Sequence, residues 1–397
     1  MISVAEALAH VTADLSPLPA EDVPVGDACG RVLAANLAAK LTQPPFPASA
    51  MDGYAVRAAD VLRLPAGLTV IGEAAAGHPF AGRVGADEAV RIFTGAPVPD
   101  GADLIVIQEN TLRDGTRVSV RELSAENFIR PAGGDFRAGD VPLRAGKRLT
   151  PRDLLLAAQM NHAVLPVRRR PSVAILASGD ELVPPGETPG SGQIVSSIPV
   201  ALAALIRNAG GEPLPVGIAR DTMESLAACL AKAEQADLLV TIGGASVGDH
   251  DLVHDALTAG GFQIGFHNVA MRPGKPLMYG RQGARHVLGV PGNPVSAMLC
   301  CALFLKPMIA RLLGEEGGQD RPRRARLAVP LEANGKRQHY MRARLAHDGG
   351  ESAVTPLPRQ DSSLVSILAS ADCLIVRPPN APAAPAGEAV DILPLDF

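Results

Sequence analysis

A chain of 397 residues has room for two to four domains at about 100–200 residues each. Its net charge of -4 gives no basic excess for a nucleic-acid surface, and aromatic residues, at 3%, are too few for a base-stacking platform. No apolar run approaches the roughly 18–20 residues that span a bilayer, and Met1–Ala9 lacks the basic and apolar segments of a signal peptide, so a cytoplasmic protein without membrane contact is expected.

Ser3-Val-Ala-Glu6 has capping-box spacing, and Val4, Leu8 and Val11 continue at helical intervals. A helix of about a dozen residues is therefore expected, ending near Ser16–Pro19. A second helical piece is expected within 20–40, including Gly30 to Ala39, before Pro44, Pro45 and Pro47 break regular structure. From about 40 to 140, short β-type runs (Leu68–Ile71, Ala89–Phe93, Leu104–Gln108, Arg117–Arg121) alternate with Gly/Pro turns, the texture of a small β-rich domain. Leu154–Met160 reads as helix behind Thr150-Pro151.

Residues 171–310 alternate strands with helices, which predicts an α/β layer on a mainly parallel sheet. The strands are Ser172–Leu176, Pro213–Ala219, Leu238–Ile242 and Val287–Val290. Helices follow from near Ser197, from the capping-box spacing Asp221-Thr-Met-Glu224, after Gly243–Gly248, and from Val295. The tail from about 320 returns to β runs, Ala325–Pro330, His339–Leu345, Cys373–Arg377 and Ala389–Leu393, and predicts a small β-barrel-like domain. The five cysteines form no C-x-x-C pair and no metal-ligand spacing, and are expected to be buried, inert thiols.

Ligands of open α/β sheets bind beyond the carboxyl ends of the strands. Three such ends carry Gly-rich turns, Ser178-Gly-Asp-Glu181, Gly243–Gly248 and Pro291–Pro294, where backbone N–H groups can approach a phosphate. Asp180, Glu181, Asp221, Asp249 and Asp251 fall at the same edge. Each alone could be a helix N-cap. Together beside an anion pocket they repel the anion unless a cation intervenes, and oxygen ligands of this kind suit Mg²⁺. Met271-Arg-Pro-Gly-Lys-Pro276 adds Arg272 and Lys275 on a stiffened turn, either solvated charge or fixed cations for phosphate or an oxyanion. His250, His254 and His267 make no zinc set.

Six segments occur in a telling order: Ser49-Ala-Met-Asp-Gly-Tyr-Ala-Val56, Thr94-Gly-Ala-Pro-Val-Pro99, Ser178-Gly-Asp-Glu-Leu182, Gly243-Gly-x-Ser-Val-Gly248, Pro273-Gly-Lys-Pro276 and Pro291-Gly-Asn-Pro-Val-Ser296. The chain thereby resembles the molybdopterin molybdenumtransferases, the MoeA family related to the gephyrin E domain, over essentially its whole length. The resemblance implies a homodimer of four-domain subunits: a connecting domain over 20–38 and 140–168, a β-rich domain over 39–139, an α/β molybdopterin-binding-like domain over 1–19 and 169–319, and a C-terminal β domain over 320–397. It implies a reaction in which adenylylated molybdopterin and molybdate, with Mg²⁺, give AMP and the metal-loaded pterin. The molybdopterin adenylyltransferase that makes the substrate is a candidate partner.

By motif, Glu181, Asp221 and Asp251 match the metal and phosphate side of the pocket, with Ser178, Gly179, Gly243, Gly244, Ser246 and Gly248 in the phosphate turns. Asp52 and Asp135, with Thr94 and Arg130 beside them, match groups that face the partner subunit's pocket. Arg272, Lys275, Pro291, Gly292, Asn293 and Pro294 match the pterin and molybdate end, and Arg342 and Ser362 match further contacts from the terminal domain. Ser196-Ser197-Ile198, Asn268, Arg272, Gly134 and Asp361 depart from the family pattern, Asn268 by removing a cation and Asp361 by replacing a Gly. Two other readings compete: a molybdopterin adenylyltransferase, which lacks the extra β-rich domains, and a non-catalytic scaffold, which has no need of Asp52, Asp135, Glu181, Asp221 and Asp251.

Overall fold

The computed structural model describes residues 1–244, 252–317, 322–346 and 352–396. The central sheet runs Glu212–Ala219, Ser172–Ser178, Leu238–Ile242 and Arg285–Val290, all parallel, followed by the antiparallel strands Met278–Gln282 and Gln263–Phe266. Both faces are covered. Val173, Ile175 and Ala177 pack on Val11, Leu202, Ile206 and Phe304, while Ala174 and Leu176 pack on Leu226, Val253 and Leu257. This double burial is why the parallel strands read as unbroken apolar runs. The two antiparallel strands escaped the sequence reading because Gln263–Phe266 and Met278–Gln282 interleave Gly, Gln and Arg with their apolar residues.

The helices around the sheet start where local chemistry places them. Val4–Ala13 begins at a complete capping box, in which Ser3 Oγ accepts from the Glu6 N–H and Glu6 accepts from the Ser3 N–H. Ile198–Asn208 opens with Pro199 in its first turn. Pro294–Cys300 continues through a wide turn, Cys301–Leu305, into Lys306–Leu312. The resulting helix is apolar and long enough to cross a membrane, contrary to the reading of the bare sequence, but most of it lies inside this fold as a core helix.

The helix expected over Gly30–Ala39 does not form. That stretch is extended and bridges to residues far along the chain, Val32 to Arg148, Leu33 to Val167 and Leu37 to Leu143. The Leu33 and Leu37 N–H groups donate to the carbonyls of Lys147 and Leu143, and Val32, Leu33 and Leu37 are buried. Long-range pairing has overridden a weak local propensity. Beside it, Ala20–Pro24 pairs antiparallel with Val164–Arg168, and Pro151–Gln159 is helical as expected.

The β-rich region holds a six-stranded sheet in the order Leu104–Ile107, Gly53–Val56, Glu88–Ile92, Ala66–Ala74, Arg117–Val120, Thr111–Asp114. Gly53–Val56 lies between two partners, and a Cβ on Gly53 would run into the Val106 carbonyl. Near the C-terminus, Gln338–Ala346, Ala353–Pro356, Arg323–Leu327, Ala389–Pro394 and Cys373–Arg377 close into a five-stranded barrel around Ala343, Val354, Ile375 and Ile392. Met271–Arg272, from the α/β layer, pairs parallel with Gln338–His339 and ties the barrel to it. Cys229, Cys300, Cys301 and Cys373 are buried as expected, whereas Cys29 is exposed.

Candidate active site

The carboxyl ends of the four parallel strands open onto one cleft of about 630 Å³. Ser178, Gly179 and Glu181 come from the first strand and its turn, Asp221 from the next, Gly243 and Gly244 from the third, and Pro291, Gly292 and Asn293 from the fourth. The turns are knitted to one another. The Gly179 N–H donates to the Ala219 carbonyl and the Gly243 N–H to that of Val290, both at 3.1 Å. Gly243 has φ +90°, and a Cβ there would sit 3.0 Å from the Ser178 carbonyl oxygen, so the close approach of these turns requires glycine.

Glu181 and Asp221 line this cleft together. Asp221 does not take the capping role its spacing suggested. Thr222 is the N-cap of Met223–Lys232, its hydroxyl accepting from the Ser225 N–H at 3.2 Å. The Asp221 carboxylate is left to the cleft. Asp180 organises the turn instead: its Oδ1 accepts from the Asp221 N–H at 3.3 Å, and its carbonyl accepts from Arg220 Nη1 at 2.9 Å. Arg220 is a turn-holding residue that the sequence reading missed. Asp251, Ser246 and Gly248 lie outside the described residues, and among the described residues no group of three His, Cys, Asp or Glu side chains is placed to hold a metal.

A second group of residues is cationic. Arg272 and Lys275 flank Gly274, which has φ +102° and packs against Cys300, where a Cβ would lie 2.6 Å from the sulfur. Ser362 joins this end through its carbonyl, which accepts from the Val295 N–H at 3.1 Å in the first turn of the helix that starts at Pro294. Arg342 is fully buried. Its backbone N–H donates to Gln360 Oε1 at 3.0 Å and its Nη2 to the Arg359 carbonyl at 3.4 Å, but among the described residues Nε and Nη1 have no hydrogen-bond partner. Burial depresses its pKa, the charge of Arg272 acts the same way, and Asp361 opposes both. A desolvated guanidinium with two unmet donors is costly unless an anion reaches it. His339, on the same barrel strand, is pushed down to about 4 by burial and by Arg272, Arg342 and Arg337.

The third group lies in the β-rich sheet. Asp52 Oδ1 accepts from both the N–H and the hydroxyl of Thr94, each at 2.8 Å. These bonds hold the exposed carboxyl below its usual range, with a further contribution from Arg91. Arg91, also missed from sequence, lies over the rings of Tyr54 (5.2 Å) and Phe93 (4.7 Å) and donates to the Gly53 carbonyl. Strand alternation alone reads it as solvent-facing. Arg130 is in a two-residue strand paired with Ala48–Ser49, and Asp135 is exposed, its N–H donating to the Gln43 carbonyl at 3.0 Å.

Three family descriptions tile the chain: the MoeA N-terminal region (domain I and II) over residues 2–160, a probable molybdopterin binding domain over 174–311, and the MoeA C-terminal region (domain IV) over 324–395. A molybdopterin molybdenumtransferase of Haemophilus influenzae is 34% identical across 96% of this chain and 95% of its own length. Molybdopterin molybdenumtransferase 2 of Mycobacterium tuberculosis is 37% identical across 83% and 84%. Among solved structures, the molybdopterin biosynthesis moeA protein of Pyrococcus horikoshii superposes with a TM-score of 0.86 at 28% identity, covering 99% of this chain and 100% of that one.

Proposed function

The chain belongs to the molybdopterin molybdenumtransferases, which act in molybdenum cofactor biosynthesis, and from that premise we propose that it uses adenylylated molybdopterin and molybdate and releases AMP. The observation that carries this reading is the placement of two carboxylates, Glu181 and Asp221, on a cleft walled by glycine turns. Glycine turns accommodate phosphates, and two carboxylates completed by phosphate oxygens make a donor set suited to Mg²⁺. Glu181 and Asp221 would hold that ion, with Asp251 as a proposed third ligand. Bound there, it would offset the negative charge that develops on AMP as the phosphoanhydride breaks.

The protein's own groups bind and orient. Ser178, Gly179, Gly243, Gly244 and Gly292 bring the phosphates to the strand ends, together with Ser246 and Gly248. Arg272, Lys275 and Arg342 neutralise molybdate while the two dithiolene sulfurs take the place of one of its oxygens, which leaves as water with the two thiol protons, and Ser362 and the Pro291–Pro294 turn close that end. No protein nucleophile is called for: water attacks the phosphoanhydride, and the two products are AMP and the pterin phosphate. Asp52 with Thr94, Asp135 and Arg130 serve the cleft of the partner subunit in a homodimer, and a molybdopterin adenylyltransferase supplies the substrate.

The test is AMP release from adenylylated molybdopterin and Mg²⁺, with and without molybdate. Release that depends on molybdate supports the reading. A protein that binds the pterin but releases no AMP under either condition is a scaffold.

A further inference from the structure

His339 occupies an unusual position in the sheet that joins the barrel to the α/β layer. It is the register partner of Arg272 on one side and of Arg377 on the other. Directly opposed residues share a face, and like charges so placed repel. Arg342 on its own strand and Arg337, just before that strand begins, act on it in the same sense. Among the described residues no carboxylate offsets them at His339. Asp361 bears on Arg342, and its own carboxylate is occupied by the N–H and hydroxyl of Ser363, at 2.8 and 2.6 Å. The neighbouring Tyr340 is engaged by Gln338, whose Nε2 donates to its hydroxyl at 2.7 Å. A neutral imidazole is therefore the form that fits between these guanidiniums when the site holds no anion.

An anion reverses that balance. Arg342 keeps two buried donors without partners among the described residues, and guanidiniums do not shed their charge near neutrality. The imidazole is the group in this row that can change charge there. We propose that His339 is a positioning residue of the oxyanion subsite, taking up one proton from solvent as a tetrahedral dianion binds beside Arg272 and Arg342, so that binding tightens as pH falls. The inference rests on the reading of Arg272, Lys275 and Arg342 as an oxyanion site. The shared ligand chemistry is a tetrahedral dianion, either molybdate or a phosphate monoester.

The experiment is calorimetric titration of the full-length protein with molybdate, and separately with a phosphate monoester, between about pH 6 and pH 8 in buffers of different ionisation enthalpy. One coupled proton gives at most about a tenfold change in affinity per pH unit. Native protein should take up a proton on binding and bind more tightly toward the acid end. His339→Gln should bind with less pH dependence, the difference from native isolating the imidazole from the ligand's own titration. The anion that shows the difference identifies the occupant. In the native protein, the His339 ring resonances should report a higher pKa when the anion is present, a readout that needs no variant. If His339→Gln keeps the full native slope, or the ring pKa does not move while the anion binds, the proton role is wrong and the oxyanion site stands. If neither anion binds the native protein, both fall together.

Discussion

Asp52 and Thr94 form a two-point contact, one carboxylate oxygen receiving both the backbone N–H and the side-chain hydroxyl at 2.8 Å. The pair joins two segments 42 residues apart and leaves the carboxylate exposed with its orientation fixed. Its lowered pKa means that it stays ionised through the neutral range. The stability that this contributes is present above the ordinary carboxylate pKa and is lost as pH falls through the lowered one.

A carboxylate held this way and directed to solvent suits work on another molecule. Asp52→Asn should leave folding intact and strongly reduce turnover, and Thr94→Val, which keeps the backbone donor, should reduce it less, by about tenfold. If the acid serves the partner's cleft, mixing inactive Asp52→Asn and Glu181→Gln subunits should restore about a quarter of native activity, because half the dimers would carry one intact site. Subunit exchange without any recovered turnover would place Asp52 outside the site.

Gly274→Ala should destabilise the fold by about 1–3 kcal/mol, seen as an earlier urea midpoint, since the new methyl group meets Cys300 in the core at a left-handed φ. The displacement should also raise KM for molybdate, as Arg272 and Lys275 flank this turn. Unchanged stability would show that the Cys300 wall can yield.

His339 gives a signed pH effect on stability. Its pKa lies near 4 in the folded protein against 6.5 ordinarily, so between these values the unfolded chain binds a proton that the folded chain refuses. Above about pH 6.5 the group contributes no penalty, and as pH falls toward 4 the folded state loses stability. Thermal unfolding between those limits should show a shallower acid decline for His339→Gln than for native protein.

Asp361 bears on Arg342 with an attractive charge that opposes the effects of burial and of Arg272. Removing its charge with Asp361→Asn should tighten oxyanion binding a few-fold, with the gain fading in high salt. Equal affinities at low ionic strength would separate Arg342 from the anion.

Much of this could be read along the chain, for reasons that differ by region. The parallel strands are buried on both faces, so Ser172–Ser178 and Leu238–Ile242 announce themselves as apolar runs, and the glycine turns after them could be assigned to one sheet edge from topology alone. Gly30–Ala39 misled because its partners lie more than a hundred residues away, at Leu143, Lys147 and Arg148. Asp221 was ambiguous for a local reason: Asp and Thr are both good caps, and only the backbone geometry assigns the role to Thr222. Arg91 and His339 carried no motif. One matters through the rings beneath it, and the other through a register between separate domains.

The most direct test of the account is single-turnover AMP release from adenylylated molybdopterin with molybdate and Mg²⁺, comparing native protein with Glu181→Gln. The account predicts that the variant binds the pterin, remains folded, and releases AMP at least about a hundredfold more slowly. Release at the native rate from Glu181→Gln would contradict it and move the chemistry away from this cleft.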